Sequence, residues 1–294
     1  MNFLDFYDMP LYRPPSEGDN VIVQATLGCS FNRCTFCSMY KGKSYAERPL
    51  AEVCADIDRL AAEFPEARRV FLADGDALAL PAGHLLALIA HLHERFPRLA
   101  RVSSYALPAN LLRKSAGELE ALRAAGLTLL YYGIETGSPD LLRRIVKGAT
   151  SRGMAAGLEK AAAAGMKVSA TVILGLGGRR HWERHIDATL ELVNRVPLTY
   201  LSTLQLVYCF TPGGVFRAPQ GGQGKAQSAG NGEPLARTAT QHWPPWGAPF
   251  GRAAGRPSAA LRSLERDLPF LRERALHLTD QRLAESVARS EAVH

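Results

Sequence analysis

The sequence predicts an α/β fold on a parallel sheet, and three observations lead to that class. Short apolar runs rich in β-branched residues alternate with stretches of helical apolar spacing, six times over, between residues 20 and 207. Helix punctuation agrees with that alternation: Pro81 stands at a helix start, and Gly126 and Gly165 at helix stops. Every distinctive polar or glycine-rich cluster falls just after an apolar run, where parallel strands present their carboxyl ends and their chemistry. Such alternation requires right-handed crossovers between parallel strands, as in barrels of βα units.

The elements follow in order. Residues 1–19, with Pro10, Pro14, Pro15 and Gly18, read as an irregular segment lying over the body of the protein. Val21 to Leu27 is the first strand, and Cys29-Ser30-Phe31-Asn32-Arg33-Cys34-Thr35-Phe36-Cys37 is the loop after it. Leu50, Val53, Cys54, Ile57, Leu60, Ala61 and Phe64 form one stripe of a helix over 50–64. On that stripe Cys54 reads as a small buried hydrophobe. Arg69 to Ala73 is the second strand, ending in Asp74-Gly75-Asp76, and Pro81 opens a helix to about Phe96. Val102 to Tyr105 is the third strand, with Ser103-Ser104-Tyr105 at its end, and helical sequence runs on to Ala125. Thr128 to Ile134 is the fourth, ending in Gly133-Ile134-Glu135-Thr136, with helices expected over 140–146 and 152–164. Lys167 to Leu174 is the fifth, followed by Gly175-Leu176-Gly177-Gly178 and a helix over 180–196. Thr199 to Val207 is the sixth. His181 and His185, near the start of the fifth-unit helix, are expected at the surface, and Tyr105 faces the presumed pocket or packs.

Bulk properties narrow the function classes. The chain has 294 residues, 47% of them hydrophobic, as in a soluble globular protein of one large domain or a domain with an appendage. No apolar run is long enough to span a bilayer, and Met1 to Asp5 lacks the basic and apolar regions of a signal peptide. A cytoplasmic protein is expected, with thiols reduced and available to metals. The net charge is +7, of which +4 lies from Gly213 onward, where 11 Lys/Arg meet 7 Asp/Glu. No basic stripe with interleaved aromatics is present, so a nucleic-acid partner is unsupported.

The chemistry is carried by the cysteine loop. Three of five cysteines fall within nine residues, too close and too odd in number for a disulfide framework. Three thiolates on a tight loop suit a metal or an iron–sulfur cluster. Four residues separate Cys29 from Cys34 and two separate Cys34 from Cys37, which is also the plant-type ferredoxin spacing. A ferredoxin cluster needs a fourth thiolate, for which only Cys54 and Cys209 are available, and a structural zinc site also needs a fourth ligand. The six strand–helix repeats argue against a ferredoxin, which has no such repeat.

With strands and loops in this order, residues 20–212 resemble the core of radical S-adenosylmethionine (SAM) enzymes, a partial (β/α)6 TIM-like barrel of the radical SAM type. The resemblance rests on Cys29, Cys34 and Cys37, with an aromatic residue, Phe36, before the last cysteine. The family has three residues between the first two cysteines, where this chain has four. It extends to Asp74-Gly75-Asp76, in the place of the family's Gly-Gly-Glu segment that holds the SAM amine. Gly133-Ile134-Glu135-Thr136-Gly137-Ser138 is similar to the fourth-strand segment of the oxygen-independent coproporphyrinogen oxidase and methylthiotransferase-like branches. Val172-Ile173-Leu174-Gly175 matches the adenine-side motif.

The resemblance implies a [4Fe–4S] cluster on Cys29, Cys34 and Cys37, with SAM chelating the fourth iron. It further implies SAM contacts from Phe36, Gly75, Asp76, Glu135, Ile173 and Gly175, and Arg152 as a partner for the SAM carboxylate. Reductive cleavage of SAM by an electron from a donor such as flavodoxin or ferredoxin would give a 5′-deoxyadenosyl radical. The radical would abstract hydrogen from a small-molecule or other substrate that the sequence does not identify. With only Cys54 and Cys209 left over, no auxiliary cluster is visible, which argues against a methylthiotransferase. The alternative is a non-catalytic iron–sulfur or zinc-binding protein, such as a C-terminally altered remnant of such an enzyme.

The likeness stops at Gly213. Ten glycines and five prolines fall between Gly213 and Gly255, and 213–258 reads as a disordered linker. Residues 259–294 regain helical spacing through Leu261, Leu264, Leu268, Leu271, Leu276 and Leu283, interrupted by Pro269. Either a native tail or an altered reading frame would give this composition.

Overall fold

The computed structural model describes residues 6–206, 210–211 and 214–215. The expected linker and helical tail lie outside these residues, apart from 214–215, as do Cys209 and the end of the sixth expected strand.

Six parallel strands form one sheet in sequence order: β1 Val21–Gln24, β2 Arg69–Ala73, β3 Arg101–Ala106, β4 Leu127–Glu135, β5 Lys167–Leu174 and β6 Tyr200–Gln205. Helices connect them: α1 Leu50–Glu63, α2 Ala82–Arg95, α3 Pro108–Arg113, α4 Ala116–Ala125, α5 Pro139–Arg144, α6 Ser151–Ala163 and α7 Gly178–Arg195. This is the partial TIM-like barrel that the alternation predicts. Six strands in sequence order place every β-to-α loop at one end of the sheet, so the segments after β1, β2, β4 and β5 meet there.

Alternate strand residues divide between two cores. Val21, Val23, Val70, Leu72, Val102, Leu130, Tyr132, Val168 and Ala170 pack with the helices, through Ile57, Leu60, Leu85, Leu122 and Leu158. Ile22, Phe71, Ala73, Leu129 and Tyr131 line the other face, with Tyr105 and with Tyr7 and Leu11 of the opening segment. Phe71, Tyr105 and Tyr131 meet edge to face, Phe71 and Tyr105 at 5.1 Å and 88°. The opening segment therefore covers the inner face rather than hanging free. Its Glu17, 1% exposed, is held by Arg101 at 3.0 Å, by Ser103 at 2.9 Å and by the Tyr131 hydroxyl. A buried carboxylate needs a set of partners of this kind.

The sequence misplaced some boundaries for identifiable reasons. The first strand ends at Gln24, and Thr26–Leu27 instead pairs antiparallel with Ala46–Glu47. Gly28, at φ 65°, then turns the chain into the cysteine loop. The helical stretch after β3 is two helices, because Ser115 begins a new one with a capping box to Glu118. Gly126 (φ 116°) and Gly165 (φ 75°) take the left-handed conformation expected of glycine stops.

Candidate functional site

The cysteine loop runs from the end of β1 across the carboxyl end of the sheet. Cys29, Cys34 and Cys37 are all free thiols, each half-buried. Asn32, at φ 38°, bends the loop so that its backbone N–H donates to Cys29 Sγ at 3.5 Å. Its side-chain amide donates to the carbonyls of Tyr40 at 2.6 Å and Lys43 at 3.3 Å, tying the loop's two ends together. Burial pushes all three thiols up, Cys34 to about 11, against the lowering effect of the Lys147 charge. Metal binding at such thiols must displace a proton from each.

The segment after β2 braces this loop. Gly75 donates its N–H to the Gly28 carbonyl at 3.1 Å. A β-carbon at Gly75 would stand 2.6 Å from the Tyr40 ring and 3.0 Å from Cys29 Cβ, so only glycine permits this approach. Asp74 and Asp76 are both fully buried. Asp74 accepts from the Gly28 N–H at 3.0 Å and from Lys43 Nζ at 2.8 Å. Asp76 accepts from Ser30 Oγ and from the Asn110 side-chain amide of α3. Burial pushes the Asp76 carboxyl up to about 6, although both hydrogen bonds oppose that shift. Asp76 thus links the cysteine loop to α3.

Glu135 ends β4 at φ 61°, where the β4–β5 register shifts between Gly133 and Glu135. A left-handed glutamate is uncommon, and such backbone strain gathers at functional sites. Its Oε1 accepts from Lys147 Nζ at 2.8 Å, and both residues are buried. Gly133 makes room for that carboxylate, because a β-carbon there would lie 2.1 Å from Glu135 Oε1. The α5–α6 turn carrying Lys147 also grips the cysteine loop. The Thr35 N–H donates to the Ile145 carbonyl at 2.9 Å, and the Phe31 ring lies where a Gly148 side chain would be.

Phe36 packs with Ile145, Ile173, Leu176 and Leu206, so the adenine-side motif and the aromatic before Cys37 share one apolar wall. Gly175, at φ 88°, turns the chain away after β5. His185, expected at the surface, is 3% exposed. It meets Thr136 Oγ1 at 2.8 Å, while Thr189 Oγ1 accepts from the Gly137 N–H at 2.9 Å. Burial pushes His185 down to about 4. Gly137 explains this burial: its backbone passes so near α7 that a β-carbon would lie 2.0 Å from the Ala188 carbonyl oxygen. The helical period of α7 by itself gave no sign of that approach.

The structure brings Phe36, Gly75, Asp76, Glu135 and Ile173 around the cysteine loop and sets Gly175 at the turn after β5. Arg152 is exposed on the first turn of α6. Sequence reasoning passed over Lys147, Lys43, Ser30 and Asn110. Lys147, Lys43 and Asn110 are single polar residues in stretches without a distinctive pattern, Ser30 is overshadowed by the cysteines around it, and only the fold gives each a partner. Among the described residues no three His, Cys, Asp or Glu side chains converge to hold one metal ion. A cubane cluster does not require that convergence, because its thiolates bind separate irons.

A profile described as the radical SAM superfamily matches residues 23–193. The heme chaperone HemW of Bacillus subtilis (strain 168) is 27% identical over 131 residues, 44% of this chain and 35% of its own length. The radical S-adenosylmethionine methyltransferase TsrM from Kitasatospora setae, solved with cobalamin and a [4Fe–4S] cluster, superposes with a TM-score of 0.52 at 19% identity. That match covers 68% of this chain and 40% of TsrM. Coproporphyrinogen III oxidase (HemN) from Escherichia coli, a radical SAM enzyme, gives 0.51 at 17% identity, over 65% of this chain and 44% of its own. At these identities the two structures share the fold, and the chain spans less than half the length of each of the three proteins.

Proposed function

Because the chain belongs to the radical SAM superfamily, we propose that Cys29, Cys34 and Cys37 hold a [4Fe–4S] cluster and that SAM completes its coordination. The observation that carries this reading is the loop itself: three free thiols at the carboxyl end of β1, with Cys54 away on α1. Three protein thiolates leave one iron open to the amine and carboxylate of SAM. A structural zinc site would need a fourth ligand beside the three thiolates.

When bound, the cluster and SAM supply a one-electron cleavage that yields methionine and a 5′-deoxyadenosyl radical. The chain's residues bind and orient. Phe36 and Ile173 form an apolar wall for the adenosyl group, and Gly75 and Gly175 let the backbone approach it. Asp76 and Glu135 are the acceptors for the amine and ribose hydroxyls, and each must share its present partners, Ser30 with Asn110 and Lys147, to do so. Arg152 is the carboxylate partner. The electron comes from a donor such as flavodoxin or ferredoxin, the protein works in the cytoplasm, and hydrogen is abstracted from a small molecule or other substrate.

Anaerobic reconstitution followed by reduction with dithionite tests the proposal. The expected result is SAM-dependent release of methionine and 5′-deoxyadenosine. The similarity to a heme chaperone favours a second reading, in which the cluster is bound and SAM is not turned over. Cluster assembly without 5′-deoxyadenosine supports that second reading, and failure to assemble a cluster excludes both.

A further inference from the structure

Lys147 is among the residues of the site that no sequence motif anticipates. It lies on the turn between α5 and α6, where Val146 (φ 51°) and Gly148 (φ 70°) both take the left-handed conformation. The Lys147 N–H donates to the Leu142 carbonyl at 3.0 Å, so the turn is tied back to α5. The side chain is 5% exposed, and its Nζ stands 5.8 Å from the centroid of the ring of Phe36, which lies between Cys34 and Cys37 in sequence. The turn also grips the cysteine loop directly, since the Thr35 N–H, next to Cys34, donates to the Ile145 carbonyl at 2.9 Å. A buried ammonium is costly unless paired. Glu135 provides one partner, its Oε1 accepting from Lys147 Nζ at 2.8 Å.

We propose that Lys147 is a positioning residue for the cluster loop, its ammonium the buried counter-charge to the thiolates of Cys29, Cys34 and Cys37, with Glu135 setting how much of that charge they feel. This rests on the [4Fe–4S] reading above. A cubane core of two positive charges held by three thiolates is singly negative, and one added electron makes it doubly negative. A fixed cation nearby stabilises the reduced form more than the oxidised form, and a fixed anion does the reverse. Lys147 and Glu135 therefore act on the reduction potential in opposite directions. The simple structural role, an ion pair holding a turn, makes no such prediction of opposite signs.

The test is a redox titration of reconstituted protein without SAM, with dithionite as one-electron donor and the reduced cluster read by its electron paramagnetic resonance signal. In Lys147→Met the reduced-to-oxidised ratio at fixed poise should fall about tenfold, which is about 59 mV for a one-electron couple. Lys147→Arg, which keeps the charge, should stay close to wild type. Glu135→Gln, which keeps the lysine, should shift the ratio upward. Should Lys147→Met fail to assemble a cluster, the upward shift in Glu135→Gln carries the test. Unchanged ratios in Lys147→Met, or no upward shift in Glu135→Gln, overturn the proposal. Absence of a cluster from the wild-type protein overturns the [4Fe–4S] reading instead, so the two failures are distinguishable.

Discussion

Two residue types set the geometry of the cysteine loop, the proposed ligand thiols and the glycines that make room beside them. Cys29→Ala, Cys34→Ala and Cys37→Ala should each lose bound iron and the visible charge-transfer absorption after reconstitution. Cys54→Ala should keep both, because Cys54 sits on the α1 stripe away from the loop. Iron loss in the Cys54 variant would revive a four-thiolate site. Gly75→Ala places a methyl group against the Tyr40 ring and Cys29, both closer than any ordinary contact. Overpacking of this kind costs about 1–3 kcal/mol. The expected outcome is a lower denaturant midpoint together with weaker cluster retention, since the displaced neighbour Cys29 is one of the three proposed ligands. A normal midpoint and full iron content would mean that the segment after β2 does not brace the loop.

At the level of elements, the polar contacts between loop and helix decide the pH response. His185 of α7 is buried beside Thr136, and its folded pKa of about 4 lies below the ordinary value of 6.5. The unfolded chain therefore binds the proton more readily than the folded one between those values. His185 contributes stability that is complete above about 6.5 and is lost progressively as pH falls towards 4. Asp76 works the other way, because its raised pKa makes the folded state take up a proton first as pH falls through about 6. Denaturant midpoints measured from pH 7 to pH 4.5 should fall less steeply in His185→Gln than in wild type, and more steeply in Asp76→Asn. Parallel slopes in all three proteins would remove both groups from the titration. Helix α4 offers a control far from this chemistry: Ser115→Ala removes the capping-box acceptor for the Glu118 N–H and should cost about 1 kcal/mol without changing the pH slope.

Across the whole sheet, the opening segment closes the inner face that the helices leave uncovered. Tyr7 donates its hydroxyl hydrogen bond to the Ile22 carbonyl at 2.7 Å, and Tyr12 meets Tyr40 edge-on with centroids 5.4 Å apart. Glu17 fastens the segment to β3 and β4 through Arg101, Ser103 and Tyr131. Glu17→Ala should destabilise the protein by about 1–3 kcal/mol, since it removes the shared acceptor of the half-buried Arg101 and of the Ser103 and Tyr131 hydroxyls. The measurement is equilibrium unfolding, and a loss below about 1 kcal/mol would show that the segment is not part of the core. No helix among the described residues is long and apolar enough to cross a membrane.

Sequence alone determined the six-unit α/β order and the bounds of β2 and β5, because burial of one strand face and one helix stripe imposes periods of two and 3.6 that local reading detects. It also marked Cys29, Cys34, Cys37, Gly75, Asp76 and Glu135, since ligands and close-approach glycines cluster at strand ends. Only the tertiary structure decided what lies beside them. Lys147, twelve positions beyond Glu135, and Asn110, more than thirty beyond Asp76, acquire partners only when parallel strands bring their loops to one edge. Likewise, burial of His185 and the anchoring of Glu17 depend on backbones distant in sequence approaching one another. A periodicity reports which side of an element is buried, but the partner it meets is set by the register of the sheet.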